Sequence, residues 1–157
     1  MRLLSISIAL LFLLTACAPV TAAPTACQPS KIQKSSNGFL EIEADMKQYG
    51  EAWALLFFET AHAGEDEKIV WRITGEGDVF EAQAQSEDGT TIQPIWKEYH
   101  GGSNWHRPGQ EWGTGFNFPT PGCWTITVTR GKTTGTISLD VQGPQITMDM
   151  PQKSIDK

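Results

Sequence analysis

Apolar and polar residues alternate with a period of two through most of the chain between Phe39 and Val141. Leu40, Ile42 and Ala44 alternate with Glu41, Glu43 and Asp45, which predicts a strand with one buried face and one wet face. Ile69, Trp71 and Ile73 alternate with Val70, Arg72 and Thr74, and Phe80, Ala82 and Ala84 form the next inward set. Further on, Phe116 and Phe118, then Trp124, Ile126 and Val128, then Ile137, Leu139 and Val141 repeat the pattern. One run differs. Glu51 to Glu59 (EAWALLFFE) is almost continuously apolar, which fits a central strand buried on both faces. Its Ala-Leu-Leu would also suit a helix; the strands on either side decide for β.

Turn signals separate these runs. His62 to Lys68 reads as a charged turn, Asp88-Gly89 as a hairpin, and Arg130-Gly131-Lys132 as another tight reversal. The return strand after Asp88-Gly89 spans Thr90 to Tyr99, with Pro94 at an edge or bulge. Seven or eight antiparallel strands with turns every ten or so residues and no helix predict an all-β, immunoglobulin-like β-sandwich.

The stretch from His100 to Trp124 (HGGSNWHRPGQEWGTGFNFPTPGCW) breaks the alternation, with three of the six Trp and six Gly. Pro108, Pro119 and Pro121 exclude a helix, and five large aromatics exclude a disordered linker. A long shaped loop closing onto a sheet remains, serving as a binding surface or as a structural clasp. Asn104, Trp105, His106 and Arg107 lie between the turn signals Gly101-Gly102 and Pro108-Gly109, which places them at a loop tip facing solvent. We expect a recognition surface of Asn104, Trp105, His106, Arg107 and Glu111, with Trp105 as aromatic anchor and Arg107 as charged contact. The competing expectation makes Trp71, Trp112 and Trp124 core plugs and pairs Arg107 with Glu111 to hold the loop.

Two catalytic chemistries share these residues. His100, His106 and Glu111 are zinc-type ligands, but the H-x5-H spacing matches neither a helical nor a strand register. Ser103 with a His and Glu111 contains the residue types of a triad, without the G-x-S-x-G elbow that exposes a nucleophile. The reading is therefore non-enzymatic, with no metal and no cofactor. An enzyme or metal site on the His100–Glu111 loop is the alternative, and a purely structural envelope domain the next.

Charge changes the picture by exclusion. The 157 residues carry 18 acidic and 12 basic side chains, and the bases are scattered, which excludes nucleic acid as a partner. The N-terminus sets the address. Met1-Arg2 precedes an apolar segment, Leu3 to Leu14, too short to span a bilayer as a mature helix. Leu14-Thr15-Ala16-Cys17 follows and is similar to the lipobox of bacterial lipoproteins. That resemblance implies cleavage before Cys17 and lipid on its thiol, hence an extracytoplasmic protein anchored to the membrane. Cleavage removes Arg2, leaving 11 bases against 18 acids and a net charge of −7.

Cys27 and Cys123 remain, in a compartment that permits disulfides. Trp124, Ile126 and Val128 share one face, so Cys123 points away from the core. A bridge would staple the N-terminal segment to the outside of a sheet; two free thiols is the alternative. The resulting organisation is a signal peptide over 1–16, a lipidated Cys and flexible tether over 17–38, the sandwich over 39–143 and a polar tail over 144–157.

Ser103-Asn104-Trp105, Arg107-Pro108-Gly109, Glu111-Trp112-Gly113, Phe116, Phe118-Pro119 and Pro121-Gly122-Cys123-Trp124 together resemble a signature of uncharacterised bacterial lipoproteins of the Bacillus type. Val70 to Gly75 (VWRITG) resembles a further part of it. The resemblance spans about 50 to 141, implies a membrane-tethered immunoglobulin-like domain and carries over no catalytic residues. Function is expected to be binding, with an envelope protein or glycan as partner.

Overall fold

The computed structural model describes residues 27–145 and contains eleven strands and no helix over that span. Cys17, the expected signal segment and most of the polar tail lie outside the described residues. In chain order the strands are β1 (Gln33–Lys34), β2 (Leu40–Glu43), β3 (Asp45–Met46), β4 (Ala52–Leu56), β5 (Asp66–Ile73) and β6 (Phe80–Ser86). They continue as β7 (Thr91–Ile92), β8 (Trp96–His100), β9 (Gln110–Asn117), β10 (Gly122–Arg130) and β11 (Thr133–Val141). Two antiparallel sheets result, one ordered β1-β2-β4-β5-β9-β8 and the other β3-β11-β10-β6-β7. Their inner faces share one core, in which Trp71 and Phe116 of the larger sheet pack with Phe80, Trp124 and Ile126 of the smaller. The chain is an all-β sandwich. From β5 onward, β5, β9 and β8 adjoin as strands B, E and D of an immunoglobulin-like Greek key, and β11, β10, β6 and β7 as G, F, C and C′.

Eleven strands appear where seven or eight were expected, because the chain changes sheets inside two predicted runs and β1 forms within the stretch expected to be tether. The run Leu40–Asp45 breaks at Ala44, so that β2 and β3 belong to different sheets. Thr90–Tyr99 breaks at Gln93-Pro94-Ile95, between β7 in the smaller sheet and β8 in the larger. Pro94 cannot donate to a ladder, so the crossing is a place it fits without loss. The charged turn is also shorter than expected, since β5 already starts at Asp66.

Cys27, Ser30 and β1, in the stretch read as tether, are already joined to the sandwich ahead of residue 39. Cys27 is disulfide-bonded to Cys123, with Cα atoms 5.2 Å apart, outside the smaller sheet as the strand phase required. The Ser30 N–H then donates to the Ser138 carbonyl at 2.8 Å, and the Ser138 N–H donates to Ser30 Oγ at 2.9 Å. Those are backbone groups of β11 that would otherwise form an open edge. Three residues further, β1 pairs with β2.

Glu67 takes the inward phase of β5 at the end of the core, and its Oε1 accepts the His62 N–H at 2.9 Å. Burial raises its pKa above the ordinary 4.5, although that hydrogen bond opposes the shift. The folded state therefore holds this proton more tightly than the unfolded state. Stability contributed by protonated Glu67 is lost as pH climbs from about 4.5 through the raised value. Glu67→Gln keeps an acceptor for His62 and removes the titration. Thermal melts between pH 4 and 8 should show a shallower decline for the variant, with a midpoint at pH 7 equal to or above wild type. An unchanged decline would assign the pH dependence to other groups.

Candidate functional site

The outer face of the larger sheet carries two neighbouring features, a clasp and an aromatic row. The clasp begins with β4, all five of whose residues are buried, as its unbroken apolar run predicted. Ala52, Ala54 and Leu56 face the shared core, while Trp53 and Leu55 face outward. What covers that outward side is the loop from Gly101 to Gly109. It leaves β8, folds back over the sheet and sets Trp105 on Trp53, Leu55 and Val70, with Phe39 alongside. The return into β9 needs Gly109, whose φ is +96° and whose Cα lies so close to β5 that a Cβ would come within 2.2 Å of the Ile73 carbonyl.

Trp105 is only 3% exposed, so the expectation that it projects from the loop tip is corrected. The turn signals were real, but alternation inside the loop turns Trp105 inward and leaves Asn104 and His106 outward. The indole N–H of Trp105 donates to Glu41 Oε1 at 2.7 Å. Arg107 Nε donates to Glu41 Oε2 at 3.1 Å, and Nη2 donates to the same oxygen. The guanidinium stacks 3.7 Å above the Trp53 ring. Glu41, expected on a wet face, is thus buried beneath two donors from the loop. The expected Arg107–Glu111 pair is replaced by Arg107–Glu41.

Glu111 anchors the other end of the clasp. Arg72, Glu111 and His100 are directly opposite one another on β5, β9 and β8, so the register forms a single rung of charge. Arg72 Nε donates to Glu111 Oε2 at 2.8 Å, and His100 Nδ1 contacts Oε1 at 2.6 Å. The Ser103 hydroxyl donates to Oε2 as well. In a hydrolase triad the imidazole bridges nucleophile and carboxylate. Here the carboxylate stands in the middle, and both Ser103 and His100 are bonded to it. His106 is not part of this cluster; it borders a cleft of about 320 Å³ with Ser35, Ser36, Asn37 and Glu41. Among the described residues, no three His, Cys, Asp or Glu side chains converge as metal ligands would.

The aromatic row escaped the sequence reading. Below the clasp, Phe57, Lys68, Gly115 and Trp96 lie side by side on the outer face, across four strands or their ends. The Trp96 ring lies flat over β9. A Cβ at Gly115 would fall 2.1 Å from its Nε1, and one at Gly113 would fall 2.9 Å from its Cζ3. Both glycines therefore make the bed on which the indole rests. With one ring face covered, Trp96 remains 36% exposed, and Phe57 is 59% exposed with Lys68 Nζ 4.5 Å from its ring centre. Glu98 stands beside Trp96 on the same face, its Cγ over Gly113. The signal for this row was Gly113-x-Gly115, a strand whose outward positions have no side chains and so leave room for a ring from the next strand.

Compared with known proteins, the chain matches no family model and no curated sequence at a significant level. The geometry alone defines the class, a β-sandwich whose larger sheet presents an ion-paired clasp and an uncovered aromatic row on one face.

Proposed function

We propose that this protein is a non-enzymatic binding module of the bacterial cell envelope, lipid-anchored through Cys17 and exposed outside the cytoplasm. The observation that supports binding is a contrast within one sheet face. The clasp satisfies its own carboxylates, whereas Trp96 and Phe57 beside it stay open to solvent. Exposed large rings on a rigid sheet are the kind of surface that recognition uses. The lipobox-like sequence around Cys17 and the resemblance to Bacillus-type lipoproteins support the address.

Two measurements test the two halves. In detergent phase separation, the wild type should enter the detergent-rich phase and Cys17→Ser should leave it. A variant that still partitions like wild type after loss of residues 1–16 would sink the anchor. For binding, the detergent-extracted full chain should be retained saturably by at least one component of fractionated bacterial envelope. Retention no better than that of an unrelated lipoprotein would favour a purely structural domain.

A further inference from the structure

We infer that the row formed by Trp96, Glu98, Lys68 and Phe57 is a carbohydrate-binding platform that takes a neutral polysaccharide chain. This rests on the binding-module reading and gives it a ligand class and a place, distinct from the loop residues 104–107.

The shape argues first. Most outward positions of a sheet carry side chains that roughen it. On β9 two consecutive outward positions are Gly113 and Gly115, so the Trp96 indole settles against backbone and turns a flat ring face to solvent. Leu55 and Val70, one rung up, are already covered by Trp105, so the clasp borders the platform on that side. A flat, one-sided platform beside a wall suits an extended ligand with flat faces.

Chemistry then selects among extended ligands. The π-face of an aromatic ring is electron-rich and attracts the polarised C–H groups on the flat side of a pyranose. A sugar also needs partners for its rim of hydroxyls. Each exposed ring here has a charged neighbour on the same face, Glu98 as acceptor beside Trp96 and Lys68 as donor at Phe57. An apolar protein partner or a lipid surface would have to desolvate both charges without replacing their hydrogen bonds. Anionic polymers meet a mature chain with 11 bases against 18 acids, net charge −7. A neutral glycan meets neither obstacle.

Spacing sets the length. The Trp96 ring lies over β9 and Phe57 stands just beyond the end of β4, two interstrand spacings away, roughly 10 Å. A single sugar ring cannot touch both. The ligand must therefore be an oligosaccharide running across the strands, with longer chains binding better than disaccharides.

The test uses the detergent-solubilised full chain with chitin and cellulose as insoluble probes, and the hexa- and disaccharides of each as soluble ones. Wild type should bind at least one polysaccharide, and the matching hexasaccharide at least tenfold more tightly than the disaccharide. Phe57→Ala changes an exposed side chain, so it should reduce hexasaccharide affinity at least tenfold with an unchanged melting temperature. Trp96→Ala should abolish binding but exposes the glycine bed, so Trp96→Phe accompanies it as a folded variant with weakened binding. Absence of binding to every sugar probe, while an envelope protein or lipid is still retained, overturns the platform and spares the binding-module reading. No retention by sugar or envelope fraction overturns both. Sugar binding unaffected by Phe57→Ala and Trp96→Phe would place the sugar elsewhere and also ends the inference.

Discussion

Trp105→Ala should lower the free energy of unfolding by about 3–5 kcal/mol, the usual cost of truncating a buried large aromatic. The indole is the lid of a second small core, and its removal exposes Trp53, Leu55 and Val70 together. It also takes a donor from Glu41, a buried carboxylate whose remaining partner is the half-exposed Arg107. A buried acceptor left short of donors adds to the cost. The loss should appear in the main denaturant transition, because β4 is central to the larger sheet and cannot keep an uncovered apolar face without consequence. A midpoint close to wild type would mean that the loop opens independently of the sheet, and the clasp would not be part of the cooperative fold.

Trp124→Ala should cost a similar amount, about 3–5 kcal/mol, for a different reason. Trp124 is wholly buried in the shared core, tilted against Phe118 with ring centres 5.4 Å apart, and its N–H donates to the Thr120 carbonyl at 3.0 Å. Its loss opens a cavity between the sheets. The two tryptophans belong to separate clusters, so their effects should add to within about 0.5 kcal/mol. Domains of this size have only about 5–15 kcal/mol in total, so a combined loss of about 6–10 kcal/mol should take away most of the double variant's stability. A double variant that melts with either single one would show that the two cores are coupled.

The fold was legible because a strand with one buried face writes its phase into the sequence. Trp71, Phe80, Trp124 and Ile137 all face inward as their alternation required, and Cys123 faces outward for the same reason. The doubly buried β4 was legible too, but its apolar run states a demand for cover without naming the supplier. Nothing in a period of two says that a loop fifty residues later delivers Trp105 to cover Trp53. Glu41 shows the limit most clearly: its alternation fits a wet position, and only the loop's return makes it buried. The partners of Arg107 and Glu111 were hidden by register, which local spacing does not encode. Trp96 was hidden by the opposite effect, since what makes room for it is the absence of side chains at Gly113 and Gly115.

The Cys27–Cys123 bridge has a mechanical consequence. If lipid on Cys17 holds the chain to a membrane as proposed, the leash ends at Cys27 and reaches at most about 35 Å. A pull on the anchor then enters the domain through a covalent bond to β10, the central strand of the smaller sheet. Without the bridge, the same pull would first break the Ser30–Ser138 hydrogen bonds and then reach β1, peeling it from β2 one pair of hydrogen bonds at a time. With it, the load falls on β10, whose ladders to β6 and β11 resist together. The staple adds little to the packing of the sandwich, yet it decides where tension is felt.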